Sequence, residues 1–300
     1  PPQLTGRYAG NEREVWHAAA CEAARRHGYG AQRIFSGDPL SCGPGIGFLR
    51  PHADWRQLPK NRIDYTRMIE AGLTMIQDSK QVLCYEDKSM QFRRWFDLMP
   101  ETWLHTDADA AMGFLDFAPF PLVSKANEGA SSTNVRILKD KDEAQKHIAQ
   151  LFGAGIWVHH GANCPQTKQK GYALLQRFIP HTITYRVNVV GNVRAVFFRR
   201  NYPDRPVAQT GNTTAAYEMT PELESLLEYA DRVAGALGTK WCALDILKDG
   251  DGWKFIESSL AWPWAADSYA DATMFRSTKG RKWKDLFDVM FDEYQAGAWA

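Results

Sequence analysis

At 300 residues, 44% of them apolar, the chain exceeds one ordinary domain and has ample material for two or three packed units. Its 36 Lys and Arg and 35 Asp and Glu leave a formal net charge of +1, which argues against bulk attraction to nucleic acid or an anionic membrane. No apolar run approaches the ~20 residues of a membrane span, and Pro1-Pro2-Gln3 does not open a signal peptide.

Asn11 can cap a helix to about residue 27, ended by Gly28, with Val15, Trp16, Ala19, Ala20 and Ala23 inward. A strand over 32–35 follows, then the glycine-rich run 43–47, which matches no phosphate-binding spacing and reads as a connector into a strand at 48–49. After a polar loop over 51–63, Asp64 caps a helix to about 77 with Met68, Ile69, Leu73 and Ile76 inward. A strand over 82–85 and a helix over 88–98 complete an α/β layer in residues 1–99. In residues 100–180 the pattern gives an extended pair at 103–104, a helix from Thr106 to 114, a strand over 120–125, a loop over 126–134 and a strand over 135–138. Helix 141–152 buries Ala144, Ile148, Leu151 and Phe152, and strand 172–179 is stopped by Pro180. Residues 181–300 contain a hairpin over 182–199, a helix over 221–237 ended by Gly238, a second hairpin over 241–259 and a final helix over 282–295.

The second hairpin carries one carboxylate in each apolar run, Asp245 and Glu257, around a strong turn signal at 248–252. If Leu247 pairs with Trp253, the two acids share a face as diagonal neighbours roughly 7 Å apart, with Ser259 on the same side. A two-residue turn at Asp249-Gly250 or Gly250-Asp251 sends them to opposite faces instead. On one face they make a seat for a hard cation, and Mg²⁺ suits it when phosphate oxygens complete the shell. The alternative is a pair of solvated acids on an exposed hairpin.

The Gly191-Asn192 turn sets Val190 opposite Val193, Arg186 opposite Phe197 and Thr184 opposite Arg199. Arg186, Arg199 and Asn188 then share a face, while Tyr185, Val187, Val189, Val196 and Phe198 form a core pattern on the other. Two guanidiniums on one face are a candidate clamp for phosphate or carboxylate; otherwise they reach solvent or pair with acids such as Asp204. Lys125 ends a strand before a loop of small and hydroxyl residues, 127–134, which offers a polyphosphate a point charge and a cover.

In order along the chain, Asp87-Lys88, the strand with Lys125 and its loop, Leu174-Leu-Gln-Arg-Phe-Ile179, Arg186, Arg199, Asp245 and Glu257-Ser-Ser259 resemble the ATP-grasp superfamily. The likeness covers about residues 82–260 and is greatest to the amino-acid and peptide ligases, the branch that includes a ribosomal-protein glutamate ligase. It implies an α/β (α+β) ATP-grasp fold with an N-terminal pre-ATP-grasp domain (1–99), a lid subdomain (100–180) and a C-terminal mixed-sheet subdomain (181–300). It also implies that Lys88 and Lys125 hold ATP phosphates under a flap containing Glu128, Gly129, Ala130, Ser131 and Ser132. Gln176, Arg177, Phe178 and Ile179 become the strand whose backbone meets adenine, with Phe178 and Leu247 as apolar walls. Asp245, Glu257 and Ser259 would bind one or two Mg²⁺ ions, Arg199 would steady the transferring phosphoryl group, and Arg186 the substrate carboxylate or the same phosphate.

The implied reaction is an ATP- and Mg²⁺-dependent ligation of a carboxylate to an amine through an acyl phosphate, on amino acids or a peptide. A small-molecule kinase on the same fold and a weakened nucleotide-binding protein are the alternatives. The chain departs from the family at Ser259, where Asn is usual, and at Arg177 and Thr184, where acids are usual. The glycine turn expected within 260–268 is also missing, and Trp262 and Trp264 there are either core or walls of an acceptor pocket. His159, His160 and Cys164 match no established metal spacing, and the basic–aromatic runs at 93–95 and 198–200 are too short for a nucleic-acid surface. Five widely spaced cysteines read as reduced thiols of a cytoplasmic protein.

Overall fold

The computed structural model describes residues 12–31, 45–49, 51, 55–129, 134–159, 165–201, 208–262 and 270–299. Asn11, the strand expected over 32–35 and residues 43–44 of the glycine-rich run lie outside them.

Helix α1 (Glu12–Arg26) is followed by strand β1 (Gly45–Gly47), helix α2 (Leu58–Glu70) and strand β2 (Leu73–Met75), and β1 and β2 pair in parallel. Helix α2 starts and stops earlier than the expected 64–77. Pro59 suits the first turn of a helix, and Gly72, at φ 84°, ends it, so Leu73 goes to the strand. The expected strand over 82–85 is instead the end of helix α3 (Ser79–Cys84), whose N-terminus Asp78 caps by accepting from the N–H groups of Lys80 and Gln81. Helix α4 (Lys88–Trp95) is capped by Asp87 through Met90 N–H.

The middle of the chain runs β3 (Thr102–His105), α5 (Ala108–Phe114), β4 (Leu122–Lys125), β5 (Val135–Leu138), α6 (Lys141–Phe152), β6 (Ile156–Val158), β7 (Thr167–Gln169) and β8 (Ala173–Arg177). Asp107, not Thr106, caps α5. Strands in the order β3-β8-β4-β5 form an antiparallel sheet; β6 and β7 pair with each other as a ribbon the periodicity did not reveal. Helices α5 and α6 cover this sheet through Ala111, Leu115, Ala144, Ile148 and Leu151, a core that shares no residue with the other two apolar clusters.

The last part runs β9 (Ile183–Val190), β10 (Val193–Asn201), β11 (Ala208–Ala215), α7 (Pro221–Leu237), β12 (Trp241–Asp249), β13 (Gly252–Ser259) and α8 (Leu286–Gln295). Its antiparallel sheet has the order β11-β10-β9-β12-β13. Strand β11 was not expected, because its run of small polar residues lacks any apolar alternation. Helix α7 packs on one face against Val187, Val189, Leu244 and Ile246. On the other face Val190, Ala195 and Trp241 pack with Trp16, Trp262 and Phe287, and the Trp241 and Trp262 rings stack at 5.0 Å. Trp262 is therefore core rather than a pocket wall; Trp264 lies outside the described residues. Along the strands this second face changes from apolar to charged, and the charged end holds the candidate site.

Candidate active site

Strand β9 carries Arg186 opposite Phe197 and Thr184 opposite Arg199, as the turn arithmetic requires. The second hairpin differs from the expected pairing. Its turn is the two-residue Gly250-Asp251, with Gly250 at φ 60°, so Leu247 opposes Lys254 rather than Trp253. That turn alone would aim Glu257 into the core. A β-bulge corrects the register: Ile246 pairs with Phe255, Ile256 is skipped, and Asp245 pairs directly with Glu257. The acids are thus opposite neighbours on one face, not diagonal ones.

Asp245 also opposes Arg186 across the β9–β12 ladder. Arg186 Nε and Nη2 donate to the two Asp245 oxygens at 2.7 and 2.6 Å, and Arg199 Nη1 reaches Oδ2 at 3.5 Å. The two arginines therefore grip a buried carboxylate of their own sheet. Burial opposes the Asp245 charge, but Arg186 and Arg199 outweigh it and hold its pKa below the usual range.

Lys88, at the start of α4, reaches the second acid: its Nζ lies 3.2 Å from Glu257 Oε1 and donates to Gly129 O at 2.9 Å. Gln91, one turn further on, explains the placement. Its carboxamide accepts from Ser258 N–H at 2.8 Å and donates to Ser258 O at 3.0 Å, acting as one more rung beside edge strand β13. Lys125 ends β4 in the same field; burial lowers its pKa to about 8, with Lys88 adding to the shift and Glu257 and Asp245 opposing it.

Hydrogen bonds hold both ends of the expected flap. Lys88 N–H donates to Asn127 O and Ser89 N–H to Asn127 Oδ1, while Asn134 Nδ2 donates to Glu128 O and His159 O, and His159 N–H returns a bond to Asn134 Oδ1. Gly129 sits at φ 101°, where a Cβ would collide with the Asn134 carboxamide and the His159 carbonyl. Ala130, Ser131 and Ser132 lie outside the described residues.

At the expected adenine strand, Gln176 is buried and donates to Thr102 Oγ1. Arg177 bridges the two sheets: its guanidinium pairs with Glu101 beside β3 and with Asp249 at 2.6 Å on the β12–β13 hairpin. Its N–H donates to Glu101 O, and Phe178 N–H to Pro121 O. Ile179 and Leu247 are buried, and Phe178 is half-buried beside the His181 ring. Ser259 stands opposite Ala243, its hydroxyl donating to Ala261 O and accepting from Ala261 N–H.

Sequence reasoning missed Glu86. It is 6% exposed, adopts a left-handed φ of 55°, and its Oε2 has no hydrogen-bond partner. Burial pushes its pKa up to about 7 against the pull of Lys88; nearby Glu257 raises it and Gly129 N–H lowers it. The only available signal was its position just before Asp87-Lys88. The Arg177–Asp249 and Asn134–His159 ties were equally unreadable, since each joins segments far apart in sequence.

Two carboxylates side by side, with lysines and arginines around them, suit a hard cation shared with phosphate oxygens. Among the described residues no group of three or more His, Cys, Asp or Glu could hold a metal ion. No described helix is long and apolar enough to cross a membrane.

No family model matches the sequence, and no curated protein matches it. Among solved structures the chain is similar to a RimK-domain ATP-grasp protein from Sphaerobacter thermophilus, at 19% identity and TM-score 0.60 over 97% of each chain. It is similar to the D-alanine–D-alanine ligase of Bacillus anthracis, at 13% identity and TM-score 0.61 over 97% of this chain and 95% of that one. It also resembles the ATP-grasp ligase PsnB solved with a minimal precursor, at 16% identity and TM-score 0.58 over 95% and 97%. Nearly the whole length of each structure is matched, and the chain has the ATP-grasp fold.

Proposed function

We propose that the chain is an ATP- and Mg²⁺-dependent ligase that joins a carboxylate to an amine of amino acids or a peptide. The observation that carries the reading is the shared face of Asp245 and Glu257, set directly opposite each other and ringed by Lys88, Lys125, Arg186 and Arg199. Lys88 and Lys125 bind the triphosphate, with the flap from Glu128 and Gly129 through Ala130, Ser131 and Ser132 above it. Adenine lies along Gln176, Arg177, Phe178 and Ile179, with Leu247 as a wall. Asp245 and Glu257 would hold the magnesium, which would screen phosphate charge, and Ser259 is a weaker candidate because its hydroxyl already closes a turn.

In the first step a substrate carboxylate oxygen bonds to the γ-phosphorus, the bond from that phosphorus to the bridging oxygen breaks, and ADP leaves. Arg199 balances the equatorial charge, and Arg186 aligns the carboxylate. In the second step the amine nitrogen bonds to the acyl carbon, phosphate departs with its oxygen, and the nitrogen loses a proton. The flap excludes water from the acyl phosphate between the steps. The likeness to a D-alanine–D-alanine ligase and to PsnB bound to a precursor supports amino-acid or peptide substrates. A reducing, ATP-supplied compartment such as the cytoplasm suits Cys21, Cys84 and Cys242, which are free thiols.

One observation favours a weakened nucleotide-binding protein instead: the Ser259 hydroxyl is engaged with Ala261. Product analysis with pooled amino acids and dipeptides separates the readings. The ligase releases ADP and free phosphate only when carboxylate and amine are both present. A kinase leaves phosphate on its acceptor, and a binding protein takes up ATP without releasing ADP.

A further inference from the structure

We propose that a pocket bordering the proposed nucleotide cleft is a second ligand site, and that it takes a free apolar amino acid as its zwitterion. The pocket has a volume of about 340 Å³ and is lined by residues of α4 and the turn after it, of edge strand β3 of one sheet with the residue before it, and of edge strand β13 of the other. Small-molecule sites run from roughly 300 to 1,000 Å³, so this one suits a single amino acid rather than a nucleotide. Phe92, Phe96, Met99 and Trp103 supply its apolar walls, and Glu101 and Lys254 supply one charge of each sign. Phe96 is 63% exposed, although Trp95 and Met99 near it in the chain are buried, which leaves an aromatic face for a ligand to cover.

Both charged side chains have bonding capacity to spare. Glu101 gives Oε2 to the Arg177 guanidinium, while its Oε1 has no hydrogen-bond partner among the described residues. Lys254 makes no hydrogen bond or ion pair among them. An α-ammonium donates and an α-carboxylate accepts, so the first pairs with Glu101 and the second with Lys254 Nζ, while the side chain enters between the rings. A ligand with one charge only leaves the other protein group desolvated without a partner. The pocket touches the proposed adenine residues from outside: Thr102 Oγ1 accepts from Gln176, Glu101 holds Arg177, and Lys254 opposes Leu247 in the hairpin. None of the lining residues is itself one proposed above for phosphate, metal or adenine. The inference therefore goes beyond the ligase reading and is tested apart from it.

The test is calorimetric titration of L-phenylalanine into the full chain as wild type, Lys254→Met, Glu101→Gln and Phe96→Ala. The ligands 2-phenylethylamine and 3-phenylpropanoate, which lack one charge each, are titrated beside it. All three substitutions fall at exposed or half-buried positions, so the fold should survive them. Wild type should bind phenylalanine about fivefold tighter than either analogue, the scale of one partly exposed ion pair. Lys254→Met should erase the advantage over 2-phenylethylamine and Glu101→Gln the advantage over 3-phenylpropanoate, while Phe96→Ala should weaken all three ligands by a similar factor. Saturating ADP should leave the site able to bind phenylalanine. No binding of phenylalanine, or binding that Lys254→Met and Phe96→Ala leave unchanged, overturns the inference while leaving the ligase reading intact. Competitive displacement by ADP also overturns it, because the pocket would then be part of the nucleotide cleft.

Discussion

Arg186 and Asp245 face each other across neighbouring strands β9 and β12 and meet through two charge-assisted bonds of 2.7 and 2.6 Å. Lys88 stands to Glu257 in a similar way at 3.2 Å. The cations proposed for phosphate and the acids proposed for metal thus satisfy one another, which is how so many charges coexist at one sheet end. On the proposed reading, magnesium and triphosphate would bring the opposite charges to the same places, and binding would be an exchange of partners rather than the filling of bare charges.

Breaking that buried pair from one side should be costly. Arg186→Met leaves Asp245 with only the longer Arg199 contact and should lower unfolding stability by about 3 kcal/mol. Adding Asp245→Asn should restore most of the loss, because the uncompensated charge goes with it. Urea denaturation of the two variants and the wild type measures both effects; equal losses would mean that the pair is incidental to stability.

Glu257→Ala should abolish turnover while leaving the fold intact, since Glu257 is half-buried at an edge strand and its removal opens no core cavity. Circular dichroism and ADP release check the two halves. Activity within a fewfold of wild type would remove Glu257 from the metal site.

The flap base is predicted to be intolerant at one glycine. Gly129→Ala strains a positive-φ position and pushes against Asn134 and His159, so kcat/KM for ATP should drop by about tenfold or more. Global thermal stability should change little, because the segment is half-buried and outside every apolar cluster. Steady-state kinetics beside a thermal melt show whether the loss is local.

His147 gives the second sheet a pH dependence. It is buried against Ser124 Oγ at 2.8 Å, its Nδ1 lacks a partner, and burial pushes its pKa from 6.5 to about 4, with Arg136 adding to the shift. The folded pKa lies below the unfolded one, so the unfolded chain binds the extra proton first and stability falls as pH falls from about 6.5 towards 4. Near pH 5 the loss attributable to this side chain should be about 1–2 kcal/mol. His147→Gln should flatten that part of the profile in denaturation measured across the range; an unchanged slope would assign it elsewhere.

What the sequence made legible followed from local constraint. A two-residue Gly191-Asn192 turn leaves one register for its strands, so Arg186 and Arg199 could be put on one face by counting. Counting failed in the other hairpin because a bulge at Ile256 cancels the parity of the Gly250-Asp251 turn, and no apolar pattern announces a bulge. Asp64 looked like a helix cap, yet Pro59 and Gly72 set the ends of α2. The fold class was readable from the order of elements and the family likeness. Glu86 was not, because its burial depends on segments far from it in sequence, and neither was Gln91, which acts as a strand rung only once α4 lies beside β13.

The central claim is that a carboxylate oxygen attacks ATP in this cleft and leaves with phosphate. The direct measurement is mass analysis of the phosphate released from ATP and magnesium in the presence of an amino-acid and dipeptide mixture whose carboxylates carry heavy oxygen. The predicted result is phosphate that gains one heavy oxygen per turnover, only when an amine is available, and none with Glu257→Ala. Phosphate released without the label, or label-free ADP release that needs no amine, would contradict the account.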